Sequence, residues 1–319
     1  MTQLLKRLVT FGLILLLLGG IIFVIAFAAS GFNYEKMLGI KVSYETFEES
    51  DALTAKKLVL NFDNTDVNIT FDENAERIKV SYPLRTSKSN NKLNTVTAIE
   101  SGDVITIKEE TNWKSNLFIW GSGDYNVSVT LPAGRGIELY VECDNGDVNF
   151  AGDGLVGSVT VSTDNGDISS DRASIKSLQN MKFSSDNGEI ELGKIDTVSL
   201  YLETDNGDID MNECFASEKI NISTDNGDVN FDGNVTSLTL EIETDNGEIE
   251  SDKSVIDAKS IKIETDNGDI KIVLFGKSGD YEIKIRQQTG SSNVSNQIGP
   301  DRKLDVETSN GDIKVLFTE

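Results

Sequence analysis

The chain reads as an all-β protein: a parallel β-solenoid, right-handed as parallel crossovers favour, behind a single N-terminal transmembrane α-helix. Three observations carry that reading. The cassette Asp-Asn-Gly-Asp, or its Glu-ended form, starts at Asp144, Asp164, Asp186, Asp205, Asp225, Asp245 and Asp266, with Ser309-Asn310-Gly311-Asp312 as an altered eighth copy. A period of about 20 residues around a fixed turn signature marks coils stacked one on the next. On both sides of the cassette apolar residues alternate with polar ones, as strands with one buried face do. Near the start, Leu8 to Ala29 is almost wholly apolar and uncharged.

Residues 1–7 form a short tail that carries Lys6 and Arg7, which by the positive-inside tendency stays in the cytoplasm. Residues 8–29 follow as a helix of about 33 Å, long enough to cross a hydrocarbon core. Ala26-Phe27-Ala28 offers a signal-peptidase-like site, but the apolar stretch exceeds a signal peptide's core of about 7 to 15 residues. An uncleaved anchor is therefore expected, with everything after it outside the cell membrane.

Residues 30–54 read as a connecting segment, and 55–319 as the solenoid, irregular over 55–135 and regular over 136–319. In the irregular part, Leu58, Leu60 and Phe62 lead into Asp63-Asn64-Thr65-Asp66 and then Val67 and Ile69, the same plan with Thr replacing Gly. In the regular part, apolar pairs precede each cassette (Leu200 and Leu202, Ile220 and Ile222, Leu240 and Ile242) and follow it (Ile209 and Met211, Val229 and Phe231). This predicts two strands per coil. The 43 residues from Asp266 to Ser309 leave room for two coils, with Gln288-Thr289-Gly290-Ser291 as an intervening turn without acids.

Asn-Gly is the leading pair where two residues in succession need positive φ, and stacked Asn side chains can bond along a ladder. The Thr before the cassette (Thr163, Thr204, Thr224, Thr244, Thr265, Thr308) predicts a similar ladder. The cassette is thus first a turn-former.

Its acids allow a second role. Asp144, Asp164, Asp186, Asp205, Asp225, Asp245 and Asp266 form one column, and Asp147, Asp167, Glu189, Asp208, Asp228, Glu248 and Asp269 a second. Like charges about 4.8 Å apart repel by roughly 1 kcal/mol in water, which divalent cations would relieve. Calcium suits such oxygen ligands, so both columns are candidate metal ligands. The spacing differs from the established calcium-binding glycine-aspartate repeats.

Trp113, Phe118 and Trp120 lie in a segment that breaks the rhythm, read either as a cover for the first coils or as a partner contact. Cys143 and Cys214 sit three to four coils apart, roughly 14 Å or more, beyond the reach of a disulfide, and are expected as free thiols. The formal charge is −24 with no histidine, which disfavours nucleic acid and anionic lipid headgroups and removes the usual general base.

Gly152 to Gly157 matches G-x-G-x-x-G but leads into a strand, not a helix, so it is no dinucleotide site. Every coil carries the same acids, whereas a catalytic centre needs one distinct constellation. A non-enzyme without a cofactor is the expectation.

The N-terminal helix followed by repeats of the form Ile-Glu-Thr-Asp-Asn-Gly-Asp-Ile, together with Leu131-Pro132-Ala133-Gly134, resembles the bacterial "putative adhesin" family of unknown function, which includes LiaG-like envelope-stress proteins of Gram-positive bacteria. The resemblance covers about 58–319. It implies a β-strand-repeat fold, a cell-envelope location, and contact with envelope proteins or cell-wall polymer, and it brings no catalytic residues. Calcium binding by the surface is the alternative function, and polysaccharide cleavage, which other parallel β-helices perform, a distant third.

Overall fold

The computed structural model describes residues 3–31, 37–51, 54–111, 125–251 and 254–319. Trp113, Phe118 and Trp120 lie outside these. The chain divides into two compact units. One comprises Met1–Glu45, Pro83–Thr95 and Thr111–Tyr125; the other comprises Thr46–Tyr82, Val96–Glu110 and Asn126–Glu319.

In the first unit, Gln3–Ala29 is a continuous α-helix. Its segment Phe11–Ala29 is long and apolar enough to span a membrane, and none of it is buried against protein. Beyond it, part of the stretch expected as a connection is regular, since Lys41–Glu48 forms a strand.

The second unit is a stack of coils held by parallel pairing. Along one arm, Leu58 pairs with Leu139, Leu139 with Val159, and onward through Met181, Leu200, Ile220, Leu240, Ile261 and Leu304. After the turn, Val67, Val148, Ile168, Ile190, Ile209, Val229, Ile249, Ile270 and Ile313 form a second inward column. These residues are almost completely buried. Each such side chain contributes about 1.5–3 kcal/mol of burial, and apolar side chains of similar size lie over one another along each column.

The expected two strands per coil need correcting. A third inward column, Ile175, Ile195, Cys214, Val235 and Ile256, lines the corner where one coil passes into the next. Register shifts between Thr197 and Ser199, and between Phe215 and Lys219, separate this short run from the arm that follows. The bulges bend the chain so that a third side closes the core.

The order of coils at the ends also departs from chain order. The Ser309 turn lies directly on the Asp266 turn, with Asn267 paired to Asn310. The coil of Tyr281–Thr289, whose turn at Gln288–Ser291 carries no acid, stacks outside it. The last strands of the chain are therefore inserted between two earlier coils. At the other end, Val104 to Lys108 and Asn126–Pro132 stack outside the Asp63 coil, which itself contacts the Asp144 coil.

Among the described residues, strand edges at both ends are partly covered. Ile283 exchanges two backbone bonds with Gln297 (2.9 and 3.0 Å), which covers the outer edge of Tyr281–Thr289. Near the other end, Lys79 to Ser81 pair antiparallel with Ser128 to Thr130. Such covers prevent edge-to-edge association.

A buried ion pair fastens the segment that enters the stack. Glu49, fully buried, receives Arg135 through Nη1 at 2.5 Å and Nη2 at 2.6 Å, and also accepts from the backbone N–H of Ala55 (2.9 Å) and Ile78 (3.2 Å). Burial opposes the charge, but the Arg135 bond and these backbone bonds prevail and hold the Glu49 carboxyl at about 2. Its pKa is lower folded than unfolded, so the stabilisation is complete above about pH 4.5 and is lost as pH falls toward 2. Arg135→Ala leaves a buried carboxylate unpaired and should cost about 3–5 kcal/mol in urea denaturation at pH 7. The deficit should narrow as the pH approaches 2; a constant deficit would exclude this linkage.

Candidate functional site

The cassettes come together as one line of turns. Asn145 donates from Nδ2 to Oδ1 of Asn64 at 2.9 Å, and the pattern continues through Asn165, Asn187, Asn206, Asn226, Asn246, Asn267 and Asn310 at 2.8 to 3.0 Å. This is the expected Asn ladder. The Thr residues also form a ladder, but across a different pair of groups: each hydroxyl donates to the glycine carbonyl of the preceding coil, as in Thr204 to Gly188 (2.9 Å) and Thr224 to Gly207 (3.1 Å). Cys143 takes this place in its coil, its sulfur 3.4 Å from the Thr65 carbonyl.

The expected reason for Asn-Gly is overturned. None of the cassette residues has positive φ; Asn90 is the one non-glycine residue that does among those described. Close approach replaces conformation as the cause. A Cβ built on Gly166, Gly188, Gly207, Gly227, Gly247, Gly268 or Gly311 would overlap the glycine carbonyl of the turn beneath. Only hydrogen at that position lets turns stack at strand spacing.

The two acidic columns have different surroundings. In the second, a carboxylate accepts the backbone N–H of its counterpart one coil on: Asp147 from Asp167 (3.0 Å), Asp167 from Glu189 (2.9 Å), Asp208 from Asp228 (2.8 Å), Asp228 from Glu248 (2.7 Å) and Asp269 from Asp312 (2.7 Å). Glu189 and Glu248, one methylene longer, make no such bond among the described residues. In the first column, Asp266 accepts from Ser309 Oγ (3.3 Å), while Asp144, Asp164, Asp186, Asp205, Asp225 and Asp245 project outward. Among the described residues no group of three or more His, Cys, Asp or Glu is placed to hold a metal ion. Both cysteines are free and buried, their thiols pushed up to about 12, chiefly by burial.

A groove of about 530 Å³ opens beside the second column. Asn68, Asn149, Ser169, Asp147, Asp167 and Arg172 line it on three adjacent coils. Its shape comes from an extra residue. The register shifts between Ser169 and Arg172, so Ser170 turns inward and is buried while Asp171 and Arg172 project. Ser169 Oγ donates to Asp171 at 3.1 Å, and Arg172 Nε lies 3.6 Å from the same carboxylate.

At the groove's margin Glu189 is held up to about 7, by burial first and then by a hydrogen bond and charge from Asp210. Glu191 is raised by burial and by Asp171 and Asp210. Glu191 and Asp210 went unnoticed as site residues. The 22-residue step from Asp164 to Asp186 was the signal for the bulge, and acids five residues past a cassette start were the signal for the pair.

The profile of the Toastrack DUF4097 family matches residues 55–316. The chain belongs to that family. No curated protein matches it. Among solved structures it is similar to one described as a putative adhesin from Bacteroides fragilis, at 14% identity and TM-score 0.40, over 86% of this chain and 97% of that one. A putative adhesin from Parabacteroides distasonis gives 13% and 0.45 over the same shares. A structure from that organism described as a putative lipid binding protein gives 14% and 0.36, over 87% and 97%.

Two expectations follow for this toastrack chain. Gly227→Ala should cost about 1–3 kcal/mol in chemical denaturation, because a backbone carbonyl blocks the methyl. Gly134→Ala, which meets nothing within 4 Å, should stay within about 0.5 kcal/mol. For the acid pair, Asp210→Asn should return the Glu189 titration, followed by carboxyl carbon NMR, toward the ordinary range. Since the Glu189 pKa is raised, its contribution favours folding at low pH and fades as pH rises from about 4.5 through about 7. The variant should lose less stability over that window.

Proposed function

We infer that this toastrack protein is a membrane-anchored, extracytoplasmic interaction protein of the bacterial envelope that binds without catalysis. The observation that carries the reading is the groove and the arm surface around it. Polar side chains recur there at one-coil intervals, a periodicity suited to an extended polymer or a repetitive partner surface rather than to a compact substrate. Cross-coil bonds on that arm, from Asn149 Nδ2 to Asn68 Oδ1 (3.2 Å) and from Asn230 Nδ2 to Asp210 Oδ1 (2.9 Å), hold that surface in fixed register. The apolar helix Phe11–Ala29 supplies the anchor, with residues 1–7 on the cytoplasmic side. A role during envelope stress is consistent with a fixed surface module that reports or reinforces contacts with the wall.

A second reading, cation binding, draws support from Asp144. Its carboxyl is raised by burial and then by the neighbouring charges of Asp63 and Asp164, a repulsion that a divalent ion would relieve. The ions would sit along the outward column of first cassette acids, with calcium the best match to the ligand chemistry.

Retention of the full-length protein on purified cell wall and on crosslinked envelope partners tests the first reading. Retention should fall at least tenfold for a triple Asn149→Ala/Ser169→Ala/Arg172→Ala variant of unchanged melting temperature. Equal retention would overturn it. Titration calorimetry with millimolar calcium tests the second: heat and a raised melting temperature are expected, and their absence would remove it.

A further inference from the structure

The net charge of −24 conceals an opposite distribution within the first compact unit. On the C-terminal side of the helix that unit contains six basic and three acidic residues, whereas the second unit contains 21 basic and 50 acidic ones. A chain-wide charge that disfavours anionic surfaces therefore does not describe the part that shares a unit with the apolar helix.

The basic residues are organised by a hairpin. Thr86 pairs with Lys92 in an antiparallel bridge, and the loop between them is fixed by Ser87 N–H to the Asn91 carbonyl (2.9 Å) and Asn90 N–H to the Ser87 carbonyl (2.8 Å). Asn90 adopts φ 62°, a left-handed conformation that asparagine tolerates. Thr86 Oγ1 donates to the Lys41 carbonyl at 3.3 Å, which ties the hairpin to the strand that follows the helix. The stem of Lys88 lies over Gly39, so close that a Cβ there would be 3.3 Å from Lys88 Cβ and Cδ. The apolar stem is thus packed and the ammonium left outward.

Lys41, Lys88 and Lys92 are exposed, and none pairs with a carboxylate among the described residues. That contrasts with the solenoid arms, where Lys176, Lys182, Lys194, Lys219 and Lys271 each reach an acid one coil away. Leu38 (37% exposed) and Tyr44 (49% exposed) are near Lys41 in the chain, an apolar and an amphipathic group of the kind that settles at a membrane interface.

We propose that the Lys41, Lys88 and Lys92 surface docks on the anionic phospholipid headgroups of the membrane that the chain's own helix enters. The proposal rests on the anchored reading given above. Three ammonium groups with no carboxylate partner among the described residues, in a unit with a membrane-length helix, meet a surface of opposite sign. The attraction is worth roughly a fivefold bias per lysine near such a surface. The contact would present basic residues to the lipid while the acidic coils are repelled from it.

The test uses the full-length protein with a dye at Ser89→Cys, since Cys143 and Cys214 are buried. It is reconstituted in vesicles of phosphatidylcholine alone or with 30% phosphatidylglycerol, each carrying an acceptor dye on the headgroups. Energy transfer should be high on the anionic vesicles, low on the neutral ones, and lost in 0.5 M salt. Lys41→Gln/Lys88→Gln/Lys92→Gln should lower the docked-to-undocked ratio about 100-fold with the melting temperature unchanged. Equal transfer on both vesicles, or no salt dependence, overturns the proposal even if the triple variant does not fold. Displacement by inorganic polyphosphate at matched phosphate concentration would overturn it in favour of a soluble phosphate polymer. A chain that fails to float with either vesicle overturns the anchor and the proposal together; one that floats without lipid dependence overturns the headgroup contact alone.

Discussion

The contact of one glycine with the glycine beneath it governs this molecule. Successive turns meet backbone to backbone, at a separation that excludes even a methyl group. Once that spacing is imposed, every neighbouring group falls within bonding range of its copy. The asparagine amide reaches the next asparagine, the threonine hydroxyl reaches the glycine carbonyl, and the second acid reaches a backbone N–H. A four-residue motif thereby satisfies polar groups that an inward turn would otherwise leave costly. The apolar columns on three sides are the other half of the same arrangement, because side chains of like shape can lie over one another only if the backbones do.

The acids show how a heavily negative surface is tolerated. In the Asp-ended cassettes half of the charge is absorbed by the stack itself, where the second carboxylate accepts a main-chain N–H and so stabilises the adjoining layer. Replacing Asp by Glu breaks that bond at Glu189 and Glu248. At Glu189 the carboxyl lies instead near Asp210, whose hydrogen bond and charge add to burial in holding it up. Elsewhere lysines on the arms compensate the charge between coils. At this coil one methylene thus separates a structural acceptor from a carboxyl held up by its surroundings.

Much of the fold could be read directly because its repeat is short and its pattern strict. The alternation at Leu200, Leu202, Ile209 and Met211 declared two arms, and the recurring Asn-Gly located the turns. The third side was obscured because bulges at Thr197 and Phe215 shift its phase against the arms, so Ile195 and Cys214 fall out of step with a two-arm template. The order of the end coils was hidden for a different reason. Adjacency in the chain suggested that Thr289-Gly290 should follow the Asp266 turn, yet it carries no asparagine to extend the ladder, whereas Asn310 does. Chemistry, not sequence distance, sorted the layers. The groove escaped notice because it arises from one extra residue at Ser170–Asp171 and from side chains outside the cassette. Charge averaged over the whole chain likewise hid the basic hairpin.

The insertion of Arg302–Asn310 between two layers formed earlier in the chain has a bearing on how the protein is made. A nascent polypeptide halted before Arg302 lacks an internal layer rather than a dispensable tip, and two unlike edges face the gap. Closing this part of the stack therefore waits for a segment made after both of its neighbours, and a chain cut before it leaves unpaired strand edges open to proteolysis.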